Sequence, residues 1–154
     1  MNTIWSLTSK DEFNRKGKLI IVQLGLLDTT FTWLILEDKS IAKLICDEGY
    51  KVYLPNMRGN QFSKSHYDYD SSLNSKYWHY SFDELAQYDL ISIVNLIKKR
   101  DGVEKIDYMG HNQGTLIFFL AYMNNPDFME KNINKLIAVG TVQILIMLNI
   151  FYSV

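Results

Sequence analysis

A chain of 154 residues with 47% hydrophobic content suffices for one globular domain with a modest core. Sixteen basic and seventeen acidic residues leave a net charge of −1, which argues against the basic stripe that nucleic-acid binding needs. The single cysteine, Cys46, excludes an intramolecular disulfide and reads as a packing residue, and the histidines, His66, His79 and His111, have no metal-ligand spacing, so neither a metal nor a cofactor is expected.

Residues 1–17 read as an irregular N-terminus. Met1-Asn2-Thr3-Ile4-Trp5-Ser6-Leu7 has no basic stretch and no apolar run after it, so no signal peptide is expected and the cytoplasm is the default location. Lys18-Leu19-Ile20-Ile21-Val22-Gln23 is an apolar run of strand length, broken at Leu24-Gly25-Leu26. Asp38 to Ile45 places Ile41, Leu44 and Ile45 on one helical face, with Gly49 where a C′ residue sits. Lys51-Val52-Tyr53-Leu54 is a short strand that Pro55 ends. Residues 56–80 are polar and aromatic without a clean period, a long loop of the kind that is functional or mobile, and Tyr67 to Asp70 read as its solvated part.

Ser81 and Glu84 form a capping box, and the helix it opens carries an apolar stripe of Phe82, Ala86, Leu90, Ile93, Val94 and Ile97. Lys98, Lys99 and Arg100 suit its C-terminal dipole, and Gly102 stops it. A strand over Lys105-Ile106-Asp107-Tyr108-Met109, a helix through about Met123 and a final strand from Lys135 complete the pattern. From Leu136 to Val154 there is no charge. That stretch reads as a buried strand followed by an apolar tail over 143–154. A helix of that length nearly spans a bilayer, so membrane contact through the tail is the alternative. Strands alternating with helices imply an α/β fold: a mostly parallel sheet of about four strands with helices on both faces, in a single partial domain over 1–154.

Between the strand at 105–109 and the helix that follows lies Gly110-His111-Asn112-Gln113-Gly114. A strand, a glycine-flanked sharp turn and a helix make the context of a nucleophile elbow, in which the central side chain stands clear of the sheet. Here that side chain is Asn112, whose carboxamide has no hydroxyl proton and a delocalised nitrogen lone pair, so it is not a usable nucleophile for acyl transfer.

Around the elbow, further blocks occur in order. Gln23-Leu24-Gly25-Leu26-Leu27-Asp28, Asn56-Met57-Arg58-Gly59-Asn60, Ser63-Lys64-Ser65-His66 and Tyr77-Trp78-His79-Tyr80-Ser81-Phe82-Asp83-Glu84 resemble stretches of the acid lipases, the gastric and lysosomal branch of the α/β hydrolases. The resemblance runs from about Ile20 to Val142. It implies hydrolysis of lipid carboxylic esters, an oxyanion hole made by the backbone N–H groups of Leu26 and Gln113, and the strand order 51–54, 18–23, 105–109, 135–139. The chain departs from the family at Asn112, where the resemblance implies serine, and at Leu24, where it implies histidine. No histidine follows Asn112, and Asp127 and Glu130 lie too close after the elbow to match the family's triad acid. His111 reads as structural, with its side chain turned away from a substrate, and Asp28 as a turn residue.

The expectation is therefore an acid-lipase-like fragment without activity. One alternative is a non-catalytic module that holds an acyl or anionic ligand on the retained loops. The other is a true lipase whose gene carries serine at position 112 and continues differently at the C-terminus. The expected partners are a lipid or acyl ester and a second copy of the chain, which would join through sheet edges left unpaired on both sides.

Overall fold

Residues 19–22 are apolar on both faces of a strand, and that places them inside a sheet rather than at its rim. The computed structural model describes residues 2–10 and 17–141. Its strands are β1 (Thr3–Leu7), β2 (Lys18–Gln23), β3 (Tyr50–Asn56), β4 (Ile106–His111) and β5 (Ile133–Val139). They form one sheet in the order β1-β3-β2-β4-β5. β2 runs parallel to both of its neighbours, β4 is parallel to β5, and β1 alone is antiparallel. The helices are α1 (Ile41–Asp47), α2 (Phe82–Glu84), α3 (Ile91–Asp101), α4 (Gln113–Asn124) and α5 (Pro126–Asn132). A π-helical turn over Leu85–Leu90 joins α2 to α3.

The core lies on both sides of the sheet. Leu19 and Ile21 face one cluster with Leu90, Ile93, Ile97, Tyr108 and Ile117, whereas Ile20 and Val22 face the other with Trp33, Ala42, Cys46 and Leu54. Burying a side chain of this size contributes about 1.5–3 kcal/mol. Cys46 is buried and free, and burial pushes its thiol up, as suits a packing residue.

Besides β3 running on through Pro55, which was expected to end it, three features differ from the sequence reading. The sheet has five strands, because residues 3–7, expected to be irregular, pair with β3 from Thr3 opposite Asn56 to Leu7 opposite Val52. Ile4 packs on one side of the sheet and Trp5 and Leu7 on the other, so the strand lacks the alternation of polar and apolar residues that would reveal it. β1 therefore covers the edge of β3 that was expected to be free; the outer side of β5 has no strand beside it among the described residues.

The second difference is the roll of α1. Ala42 and Cys46 meet the sheet, while Ile41 and Leu44 stay 45% and 52% exposed. Of the expected face only Ile45 packs against the core, beside the smaller Ala42 and Cys46, while Ile41 and Leu44 point outward. The third is α5, which opens on Asn125. Its Oδ1 accepts from Phe128 N–H at 3.2 Å, and Pro126 takes the first turn, where no N–H is needed. Among the described residues no helix is long and apolar enough to cross a membrane, and the tail over 143–154 lies outside them.

Asp101, the last residue of α3, ties that helix to β3. It accepts from Lys51 Nζ at 2.6 Å and from the Tyr53 hydroxyl. Burial pushes the Asp101 carboxyl up, but the bonds and charge of Lys51 and Tyr53 outweigh it and hold the group below the usual carboxylate range. Asp101→Asn is expected to cost about 1–3 kcal/mol at neutral pH. The folded-state value is depressed, so this stability is present above the unfolded value of about 4 and is lost as pH falls through the folded value. Urea titrations of both proteins would show the gap closing below about pH 4; a gap that holds constant through acid would remove the carboxylate from the account.

Candidate functional site

The chain leaves β2 for β3 on one side and reaches β4 on the other, so the loops after β2 and β4 meet where the winding reverses. Gln23 lies opposite Gly110 in the parallel register, which brings residues 24–28 against residues 110–114. Two glycines permit that approach. A Cβ on Gly110 would lie 2.8 Å from Gly114 C and Thr115 N, and one on Gly114 would lie 2.9 Å from the Gln23 carbonyl oxygen. No side chain fits at either point, so the first turn of α4 rests directly on β4 and β2. Tyr108 pins the turn from below. It is fully buried, burial drives its phenol far above the ordinary range, and the hydroxyl donates to the Gly114 carbonyl at 2.8 Å.

Asn112 stands at the tip with φ 50° and ψ −113°, a backbone state that residues with a Cβ seldom adopt. Its N–H donates to Val139 O at 3.0 Å, and its carbonyl accepts from Thr115 N–H at 3.0 Å and Thr115 Oγ1 at 2.6 Å. These bonds hold the strained turn. The side-chain oxygen Oδ1 accepts from Gln113 N–H at 2.7 Å and, at longer range, from Leu26 N–H at 3.5 Å. The two backbone amides singled out in the sequence thus converge, and the atom between them belongs to Asn112 itself.

Beside this point lies a cavity of about 580 Å³. Its apolar walls include Leu24, Met57, Phe82, Leu85 and Ile117, and Gln23, Arg58, Lys64 and Gln113 add polar groups. Gln23 was read as the end of a strand and the start of a block that resembles the acid lipases, with no role at the site. It is 3% exposed, and its Oε1 has no hydrogen-bond partner among the described residues. A glutamine closing the otherwise apolar run of residues 18–23 was the available signal. Arg58 is held by buried Asp89, which accepts from Arg58 N–H at 2.9 Å and from Nε at 2.7 Å, while its guanidinium lies 5.7 Å from the Tyr80 ring centre. The same arginine borders a second cavity of about 580 Å³.

The loop over 56–80 builds walls of both cavities and is tied to the first. Asn60 Nδ2 donates to Asp28 O at 2.8 Å, and buried Ser63 Oγ donates to Asn56 O at 2.6 Å. The histidines do not gather at the Asn112 turn. His111 points from its strand toward Asp28, with Nδ1 3.6 Å from the carboxylate and its ring edge-on to Trp33, and it does not border the first cavity. His66 accepts from Asp68 and Tyr69 N–H at 3.0 and 3.2 Å, a turn-stabilising role, and His79 lines the second cavity. Among the described residues no cluster of His, Cys, Asp and Glu could hold a metal ion.

Residues 19–153 match a family model described as alpha/beta hydrolase fold. Among curated proteins, the chain is 39% identical over 117 residues to gastric triacylglycerol lipase of Rattus norvegicus, covering 75% of this chain and 29% of that protein. It is 40% identical over 114 residues to lipase member K of Mus musculus, covering 73% and 28%, and 37% identical over 130 residues to lipase lipl-5 of Caenorhabditis elegans, covering 84% and 32%. The chain therefore spans about three tenths of the length of these relatives. Among solved structures, an epoxide hydrolase from Vigna radiata superposes with TM-score 0.59 at 13% identity over 89% of this chain and 35% of that one. A structure from Nitrososphaera gargenis, reported in work on carboxylesterases, gives 0.58 at 13% over 97% and 46%.

The glycine contacts can be checked directly. Gly110→Ala forces a methyl group into the backbone of Gly114 and Thr115, and a loss of about 3 kcal/mol is expected. Denaturant midpoints measure it. A variant as stable as the parent would mean that α4 does not rest on β4 this closely.

Proposed function

As the chain belongs to the α/β hydrolase family, we propose that it is a lipase-like member, related to the acid lipases, whose elbow holds an acyl ligand but does not hydrolyse it. Support for the lipase branch comes from the names of the similar proteins and from the sequence blocks at residues 23–28, 56–60 and 77–84. The observation that carries the loss of activity is the position of Asn112 Oδ1 between Leu26 N–H and Gln113 N–H.

In this reading the two amides are the oxyanion hole. Ester hydrolysis needs them vacant, because their N–H groups must meet the oxygen that gains charge as the carbonyl is attacked. A carboxamide oxygen already there competes with the substrate carbonyl, and the same side chain offers no nucleophile. Losing the nucleophile alone costs on the order of a million-fold in serine hydrolases. A ligand is read into the cavity on other grounds. Its apolar walls suit an acyl chain.

Three assays test this reading. The parent chain is expected to hydrolyse a p-nitrophenyl ester no faster than a heat-treated control. Asn112→Ser would vacate the two amides, yet no histidine borders the first cavity, so neither turnover nor fast labelling by a fluorophosphonate is expected. A long-chain fatty acid should still perturb the fluorescence of Trp78, which lines the cavity. Turnover by the parent chain would contradict the inactivity, and an unchanged Trp78 signal would contradict the acyl ligand.

A further inference from the structure

Rotation about the Cα–C bond decides where the next backbone nitrogen lies relative to a side chain. Cβ sits about 120° from N around that bond, so a ψ near −120° eclipses Cβ with the nitrogen of the following residue. Asn112 has ψ −113°. Gln113 N therefore lies on the side-chain side, and the 2.7 Å bond from its N–H to Oδ1 places Asn112 Cγ beside it. That N–H opens α4 and has no acceptor within the helix to lose.

The surroundings favour addition at Cγ. When a nucleophile adds there, negative charge develops on Oδ1, the atom that Gln113 N–H and Leu26 N–H already face. Once Gln113 N is itself the attacking atom, Leu26 N–H remains as a donor to that oxygen. Asn112 is only half-buried, so water reaches it.

From this geometry we propose that Asn112 is a site of self-deamidation through a cyclic imide. Gln113 N gives its proton to solvent and attacks Cγ, so that the N–Cγ bond forms. The Cγ–Nδ2 bond then breaks, and ammonia leaves with a proton taken from solvent. Water opens the ring at either carbonyl, giving aspartate or isoaspartate at position 112. One water is consumed and one ammonia released, with no change of oxidation state. An aspartate product keeps Oδ1 between the two N–H groups, and its charge lies at the N-terminus of the 12-residue α4, where the helix dipole favours it. The reaction depends on backbone geometry alone and holds whatever the cavity binds.

The chain supplies its own controls. Asn60-Gln61 is the same dipeptide, but Asn60 Oδ1 accepts from Phe62 N–H at 3.1 Å instead of from its immediate neighbour. Asn74 and Asn125 have ψ 112° and 71°, which turn the next nitrogen away from Cβ. The full chain, shown to be folded by near-UV circular dichroism, is incubated in mildly alkaline buffer with and without urea. Peptide mapping with isoaspartate detection then follows each asparagine. In the folded chain Asn112 is expected to convert on the order of tenfold faster than Asn60, and in urea the two rates should converge. Equal rates in the folded chain, or a faster Asn112 only in urea, would overturn the proposal.

Discussion

Contact between the backbone of β4 and the first turn of α4 is the constraint on which the site depends. A methyl group at Gly110 or Gly114 would separate them. Because none is there, the turn between strand and helix is tight enough to force Asn112 into a positive φ, and the bonds from Val139 and Thr115 keep it there. Strain of this kind costs on the order of 1–3 kcal/mol and persists only where neighbouring structure over-determines it. The register of β2 against β4 then brings Leu26 to the same place, although it is 86 residues away in sequence. Two donors on one point create an acceptor site in any chain built this way; in this one the strained residue fills it with its own side chain.

The wall opposite the elbow is organised around Arg58. Its partner Asp89 lies on the π-helical turn, 3% exposed, and faces inward beside Leu90. A π turn adds a residue to the helical repeat, which lets a polar side chain join the inner face without displacing the apolar stripe. Asp89 is buried and bonded to both the backbone and the side chain of Arg58, whose guanidinium is partly exposed, so removal of the arginine side chain would leave a buried carboxylate without its charge partner. The pair holds the arginine where it borders both cavities.

The inner strand, the sharp turn after β4 and the capped helix were legible because each is written locally, whereas the order of the strands came with the resemblance. Residues 19–22 are apolar throughout, the glycines at 110 and 114 bracket a sharp turn, and Ser81 with Glu84 forms the capping box seen in the structure. What was not legible depends on partners distant in sequence. Thr3–Leu7 becomes a strand only because β3 has an open edge, and no local pattern marks it. The roll of α1 follows from how closely Ala42 and Cys46 let it approach the sheet, which its apolar spacing does not reveal. At the site, Asn112 was recognisable as a departure, whereas the position of its oxygen between two amides required the loops to be folded together.

The central claim is that the Asn112 carboxamide occupies the paired amides. It is tested by the backbone amide proton shifts of Leu26 and Gln113, recorded for the parent chain and for Asn112→Gly, a substitution that tolerates the positive φ. Loss of the acceptor is expected to move both signals upfield, the change at Gln113 being larger because its bond is the shorter at 2.7 Å against 3.5 Å. Signals at Leu26 and Gln113 that stay where they are in the parent chain would show that the two amides are not held by Asn112.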